Sequence, residues 1–178
     1  VLVEKMPLMS ITPDRIYRST RDDTYKAVLQ TSDGLKFETV LMENKRGQWT
    51  ICVSSQIGCA MRCTFCATGA MGLKRSMTAD EIMDQYRFWM EFLRARPTLP
   101  QRISNVVFMG MGEPLANYDN VKECIHAWLR NTDLGPTRIT VSSVGVLMFL
   151  EKVLSDKDWP HVRMAISLHS ANQKKREE

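Results

Sequence analysis

The sequence predicts an α/β fold in which a short antiparallel hairpin precedes a parallel sheet. From residue 49 onward, strand-like and helix-like segments alternate in the order β-α-β-α-β-α-β. Strands that are joined by helices pair in parallel through right-handed crossovers. Ahead of them, β-rich segments at 25–31 and 35–42 flank Ser32-Asp33-Gly34, which is a hairpin turn signal.

The elements of the α/β part are placed by periodicity and by the residues that end each segment. A capping box, Thr78-Ala-Asp-Glu81, predicts the start of the first helix, and Pro97 closes that segment. The further helices are predicted at 119–131 and 146–154. The strands are predicted at 49–55, 103–109, 138–143 and 162–168. Residues 1–20 show no strong period, and Cys124 is expected in the core, on the apolar face of its helix.

Composition is that of an ordinary globular protein. The 178 residues are 44% hydrophobic and 25% charged, which suffices for one hydrophobic core. We assign residues 1–47 to an N-terminal segment with the hairpin and residues 48–178 to the α/β domain. The chain begins without Met and stops in a charged run after a predicted strand, so we expect a fragment of a longer protein.

Two further properties bear on location and partners. The sequence contains neither an apolar run long enough to span a membrane nor a secretory signal at its start. Its five cysteines include a metal-type cluster, which favours a reducing compartment, and we expect a cytoplasmic protein. The net charge of +4 is compatible with an RNA partner, but the basic residues are scattered, as on any solvated surface.

Cys59, Cys63 and Cys66 are spaced as C-x3-C-x2-C. Three thiolates without a local fourth ligand are typical of a [4Fe–4S] cluster that leaves one iron open. Structural zinc needs four protein ligands, usually in two separated pairs. The spacing therefore favours a reactive iron–sulfur centre, with a zinc site or a redox dithiol as the alternatives.

Each of the four predicted parallel strands is followed by a polar or glycine-rich segment. These segments are the cysteine loop, Gly112-Glu113-Pro114, Ser142-Ser143-Val144-Gly145 and Ser167-Leu168-His169-Ser170. In parallel α/β folds the chemistry lies at the carboxyl ends of the strands. We therefore expect the four segments to converge on one site.

The pattern alone leaves the roles of individual residues open. Glu113 is suited to bind an ammonium group or ribose hydroxyls, but it also fits a solvated turn. Ser142 and His169 are candidates for ligand binding or ordinary strand ends. Cys52 ends near the cysteine loop, where a thiol can take part in disulfide exchange, and Glu38 is the solvent-facing member of an alternating strand.

Four sequence stretches together resemble the radical S-adenosylmethionine (SAM) RNA methyltransferases that modify adenosine. They are Cys52-Val-Ser-Ser-Gln-Ile-Gly-Cys59-Ala-Met-Arg-Cys63-Thr-Phe-Cys66, Val107-Phe-Met-Gly-Met-Gly-Glu113-Pro-Leu-Ala-Asn117, Ile139-Thr-Val-Ser142-Ser and Ser167-Leu-His169. The likeness is greatest to the bacterial group with dual specificity for C2 of adenosine in 23S rRNA and tRNA. It runs from about Glu38 to the end of the chain, whereas the cysteine motif alone indicates only the radical SAM superfamily.

The resemblance implies a fold and a set of ligands. The fold is the first four βα units of a partial (βα)6 TIM-like barrel. Cys59, Cys63 and Cys66 would hold a [4Fe–4S] cluster. The residues that would bind SAM are Gly112, Glu113, Ser142, Ser167, Leu168 and His169.

The resemblance also implies a reaction and partners. In the family, one SAM methylates a C-terminal cysteine, and a radical derived from a second SAM activates that methyl group for addition to adenine. Cys52 would resolve the resulting protein–RNA adduct by forming a disulfide, and Glu38 would accept the proton. The expected partners are 23S rRNA, tRNA and an electron donor such as flavodoxin. We expect no association with a membrane, and we expect a monomer.

The chain departs from the family in its missing parts. Nothing in it corresponds to the methyl-carrying cysteine or to the N-terminal RNA-binding domain. We therefore predict that these 178 residues alone do not complete a turnover. The alternatives are methylation at C8 of a 23S rRNA adenosine, as in antibiotic resistance, an iron–sulfur module without catalysis, and a zinc-binding RNA module.

Overall fold

The computed structural model describes residues 8–44 and 46–177. The strands are β1 (Ile11–Arg18), β2 (Thr24–Thr31), β3 (Lys36–Glu43), β4 (Trp49–Cys52), β5 (Gln56–Ile57), β6 (Arg75–Ser76), β7 (Ile103–Phe108), β8 (Ile139–Ser143) and β9 (Arg163–Ile166). The helices are α1 (Ala67–Ala70), α2 (Ala79–Arg94), α3 (Tyr118–Asn131), α4 (Leu147–Ser155) and α5 (Gln173–Glu177). Short 3-10 turns at Pro114–Asn117 and Pro136–Arg138 precede α3 and β8.

One seven-stranded sheet in the order β1-β2-β3-β4-β7-β8-β9 forms the centre of the molecule. β1 to β4 pair antiparallel, whereas β4, β7, β8 and β9 pair in parallel. The predicted α/β class is thereby confirmed, and the parallel strands follow chain order as the first four strands of a partial TIM-like barrel do. Strands from both sides of the proposed domain boundary between residues 47 and 48 belong to this one sheet. The boundary itself stays a prediction.

The structure differs from the sequence-based assignment by more than one residue at five strands, of which β1 and the two-residue strands β5 and β6 were not predicted. β1 was not predicted, because only Ile11 of its eight residues is buried and no alternation results. β4 ends at Cys52 rather than at residue 55, because the next residues bond to the loop after β7. β9 ends at Ile166 rather than at 168, and His169 beyond it lies against Phe65 of the cysteine loop.

The hydrophobic core lies between one face of the sheet and the helices α2 and α3. Trp89 and Ile82 of α2 and Cys124 of α3 are fully buried there, which confirms the expectation for Cys124. The predicted capping box is present: Thr78 Oγ1 accepts from the N–H of Glu81 at 3.2 Å, and Glu81 Oε2 accepts from the N–H of Thr78 at 2.9 Å. The other face of the sheet is more accessible along β2, β3, β7 and β8.

Within residues 8–44 and 46–177, no helix combines the length and the apolar character that crossing a membrane requires.

Candidate active site at the carboxyl ends of the parallel strands

The cysteine motif lies in the loop between β5 and α1. Cys59 is buried, while Cys63 and Cys66 are half-buried. The N–H of Cys66 donates to the carbonyl of Cys63 at 3.0 Å, and Arg62 adopts a left-handed conformation with φ of 50°. The backbone therefore folds tightly around the three thiols.

The thiols of this loop lie close enough to influence one another electrostatically. Burial raises the pKa of the Cys59 thiol, an N–H from Met61 lowers it, and the thiols of Cys63 and Cys66 and the carboxylate of Glu113 raise it further. Three thiolates and a carboxylate in one region repel one another, and a bound cationic centre would relieve that repulsion.

The chemistry of this donor set fits an iron–sulfur cluster, whose normal ligands are cysteine thiolates. In the part of the chain that the structure describes, no three His, Cys, Asp or Glu side chains are gathered closely enough to hold a metal ion as they stand. Binding would therefore draw the three thiols together, and the partial exposure of Cys63 and Cys66 leaves them room to move.

The loop after β7 is hydrogen-bonded to segment 53–56, which leads into the cysteine loop. The N–H of Gly110 donates to the carbonyl of Val53 at 3.1 Å, and the N–H of Met111 donates to Ser54 Oγ at 2.9 Å. A Cβ on Gly110 would lie 2.7 Å from both acceptors, so the approach requires glycine. The Gly110–Glu113 loop is thus held in a fixed position beside the cysteines.

Glu113 links the loops after β7 and β8. Its side chain is buried, and its Oε1 accepts from the N–H of Leu115 at 3.1 Å while Oε2 accepts from the N–H of Val144 at 2.9 Å. Its own N–H donates to Gln56 Oε1 at 2.9 Å. Each carboxylate oxygen has a second lone pair, so Glu113 can also accept a hydrogen bond from a ligand.

The last strand end adds contacts to both neighbours. The hydroxyl oxygens of Ser142 and Ser167 lie 3.2 Å apart. Leu168 and His169 are exposed, His169 has a φ of 57°, and its ring centroid lies 4.5 Å from that of Phe65 in the cysteine loop. Each of the four segments thus contacts the next one around the site. The roles of their residues stay predictions.

Glu38 and Cys52 lie on neighbouring strands, close to this site. Cys52 is paired with Val40, two residues beyond Glu38 on β3. Burial raises the pKa of the Cys52 thiol to about 11, opposed by an N–H from Met109. The Glu38 side chain is half exposed, and its carboxylate is 2.9 Å from Lys26 Nζ.

Three buried residues around this pair were not identified from the sequence. Thr39 Oγ1 donates to the carbonyl of Cys52 at 2.9 Å, and Ser54 Oγ donates to the carbonyl of Glu38 at 2.6 Å. Gln85 of α2 accepts from the N–H of Ser54 at 2.9 Å and donates to its carbonyl at 2.8 Å. The sequence signal for these residues is a polar side chain within a segment that is predicted to be buried, because buried polar groups need hydrogen-bond partners.

Several known proteins are similar to this chain. A family model described as "Radical SAM superfamily" matches residues 53–178. The "Probable dual-specificity RNA methyltransferase RlmN" of Aquifex aeolicus (strain VF5) is 44% identical over 168 residues. The "Ribosomal RNA large subunit methyltransferase N" of Nitrosopumilus maritimus (strain SCM1) is 42% identical over 171 residues. A crystal structure of a radical SAM methyltransferase from Sphaerobacter thermophilus matches with a TM-score of 0.87 at 36% identity.

The chain spans about half the length of these proteins. The alignments cover 93% of this chain but 46% of the Aquifex protein, and 90% of this chain but 47% of the Nitrosopumilus protein. The structural match covers 99% of this chain and 50% of the Sphaerobacter chain.

Proposed function

The chain belongs to the radical SAM superfamily, and from that premise we propose that it is the core of a methyltransferase acting on C2 of adenosine in 23S rRNA and tRNA. The observation that carries the proposal is the Gly110–Glu113 loop, which is bonded along segment 53–56 beside the cysteine loop. The names of the Aquifex and Nitrosopumilus relatives describe RNA methyltransferases.

The superfamily uses a [4Fe–4S] cluster and SAM, and the residues present suit both. In this proposal Cys59, Cys63 and Cys66 hold the cluster. When bound and reduced, the cluster would supply the electron for the reductive cleavage of SAM. The SAM-binding residues in this proposal are Gly112, Glu113, Ser142, Ser167, Leu168 and His169.

The residues of the chain bind SAM in distinct ways. Glu113 accepts from the ammonium group of SAM with the lone pairs that Leu115 and Val144 leave free. The neighbouring hydroxyls of Ser142 and Ser167 offer donors and acceptors to its polar groups. His169 lies against Phe65 of the cysteine loop and presents its imidazole to SAM.

Glu38 and Cys52 act on the RNA in this proposal. C2 of adenine is electrophilic, so it requires a radical route rather than ordinary methyl transfer. Glu38 accepts the proton released from C2. Cys52 resolves the protein–RNA adduct by forming a disulfide with the methyl-carrying cysteine, which this chain lacks.

The setting of the reaction is part of the same proposal. RNA is the substrate, and an electron donor such as flavodoxin reduces the cluster. We place the protein in the cytoplasm as a monomer. The 178 residues alone are expected to cleave SAM without methylating RNA, because the methyl-carrying cysteine is missing.

Two assays test this function. The chain is reconstituted anaerobically with iron and sulfide, reduced with dithionite, and assayed for 5′-deoxyadenosine formed from SAM. A chimera that joins residues 1–178 to the remaining segments of the Aquifex relative is then given 23S rRNA fragments and tRNA. Mass analysis of nucleosides should detect 2-methyladenosine.

The other outcomes are separable. 8-Methyladenosine would assign the chain to the C8 reaction. Cleavage of SAM without any methylated nucleoside from the chimera would retain the radical SAM core and reject the methyltransferase. A colourless protein that leaves SAM intact would reject both.

A further inference from the structure

Two rows of directly paired residues cross the accessible face of the sheet. In the first row Tyr17 of β1 pairs with Lys26, Lys26 with Val40, and Val40 with Cys52. Residues that pair directly across strands point to the same face. Tyr17 therefore lies on the face that carries the candidate resolving thiol.

The second row runs beside the first and carries the candidate proton acceptor. Arg15 pairs with Val28, and Val28 pairs with Glu38. Arg15 and Tyr17 are two residues apart on β1, so their side chains are neighbours on one face. Arg15 and Tyr17 therefore lie on the same face of the sheet as Glu38 and Cys52.

Tyr17 is an exposed aromatic residue with two cations beside it. Its relative exposure is 44%. The guanidinium of Arg15 lies 5.9 Å from the ring centroid, and Lys26 Nζ lies 5.5 Å from it. Arg15 Nη1 also donates to Tyr17 Oη at 3.4 Å. An exposed ring flanked by cations is the combination that binds the bases and phosphates of single-stranded nucleic acid.

The cations of this face are not equally available. Lys36, which lies on this face, forms an ion pair with Asp14. Arg15 forms no ion pair within the described residues and is exposed, so its charge remains available to a phosphate. Lys26 is shared between the ring of Tyr17 and the carboxylate of Glu38.

The distances suit a substrate that extends beyond its reacting base. Neighbouring strands lie about 4.8 Å apart, so β1 is about 10 Å from β3 and about 14 Å from β4. A nucleotide that flanks a base held near Glu38 and Cys52 can reach Tyr17 over that span. RNA is recognised most readily where its bases are unpaired and can stack on aromatic side chains.

We propose that Arg15, Tyr17 and Lys26 form a contact surface for single-stranded RNA that flanks the target adenosine. A base stacks on Tyr17, and the guanidinium of Arg15 binds a phosphate. The inference rests on the proposed function, because it takes Glu38 and Cys52 as the position of the reacting base. It names the side of the site from which the RNA strand enters.

Fluorescence anisotropy with a labelled RNA hairpin, whose loop contains an unpaired adenosine, tests the surface on the full chain. Tyr17→Ala should weaken binding about tenfold, since stacking of one base has that order of effect. Tyr17→Phe keeps the ring and should stay within about twofold of the unmodified chain. Arg15→Gln should weaken binding and reduce the slope of log affinity against log salt by about one.

Arg102→Gln is the matched control. Arg102 is exposed like Arg15, but it lies before β7, away from the strand carboxyl ends, and pairs with Asp133. It should leave affinity unchanged, and thermal unfolding should be the same for all four variants, since the side chains are at the surface.

Each of the other outcomes would overturn a different part of the proposal. If the unmodified chain binds the hairpin and Tyr17→Ala binds equally well, the surface is wrong while RNA binding stands. If Arg102→Gln weakens binding as much as Arg15→Gln, the attraction is diffuse charge and the surface is wrong. If the unmodified chain does not bind the hairpin, the surface is wrong, while the RNA substrate is tested separately by the chimera that carries the remaining segments of the Aquifex relative.

Discussion

Single hydroxyl groups hold the backbone at both candidate catalytic residues. The regular β3–β4 register ends at the pair of Val40 and Cys52. Beyond it, Thr39 donates to the carbonyl of Cys52 and Ser54 donates to the carbonyl of Glu38. The spacing of Glu38 and Cys52 therefore depends on two side chains that take no part in the chemistry.

Replacing Thr39 by Val should destabilise the protein by about 1–3 kcal/mol, because two buried polar groups lose a partner. These are the carbonyl of Cys52 and the indole N–H of Trp89, which donates to Thr39 Oγ1 at 3.1 Å. Thr39→Ser keeps the hydroxyl and should retain most of the stability. Urea unfolding measures both variants, and equal midpoints for Thr39→Val and the unmodified protein would show that the hydroxyl bonds contribute nothing.

The Cys52 thiol should remain protonated at neutral pH. Burial raises its pKa from 9.0 to about 11, so its rate of alkylation by iodoacetamide should increase with pH up to about pH 11, read by peptide mass mapping. The raised pKa also links to stability: this contribution is complete below pH 9 and is lost as pH rises toward 11. A rate that levels off near pH 8 would contradict the burial of this thiol.

At the scale of elements, the loop after β7 depends on how closely it approaches the segment after β4. A Cβ at Gly110 would meet the carbonyl of Val53 and Ser54 Oγ, both at 2.7 Å. Gly135, before β8, offers a contrast, because nothing lies within 4 Å of its Cβ position and its φ is −79°.

Gly110→Ala should therefore destabilise the protein by about 1–3 kcal/mol, since the added methyl group displaces backbone. Gly135→Ala should be neutral or slightly stabilising, because it restricts only the unfolded chain. Thermal unfolding of the pair distinguishes the two effects. A Gly110→Ala protein as stable as Gly135→Ala would mean that the loop after β7 is not held against Val53 and Ser54.

Elements whose signals are local were predicted well from the sequence. The capping box at Thr78 located the start of α2 to within a residue, and the apolar period behind it predicted the helix. β1 was missed because seven of its eight residues are exposed, and its strand character comes from pairing with β2 rather than from its own pattern. The end of β4 was placed too late because long-range bonds from the loop after β7 replace the strand pairing.

At the scale of the whole molecule, the alternation of strands and helices predicted the parallel sheet and thus the edge at which the polar segments meet. The cysteine motif marked the site because its spacing is local. Thr39, Ser54 and Gln85 escaped prediction because their partners lie 13, 16 and 31 residues away in the sequence. Their polar character inside buried runs signals a need for partners, but only the fold shows which partners those are.

One measurement tests the proposed cluster site most directly: the electron paramagnetic resonance spectrum of the anaerobically reconstituted and reduced chain, with and without SAM. A brown protein with a [4Fe–4S] signal that shifts on addition of SAM is the expected result, and Cys63→Ala should abolish the signal while the protein stays folded. A colourless protein, or a cluster whose signal is indifferent to SAM, would contradict an open iron beside the Gly110–Glu113 loop.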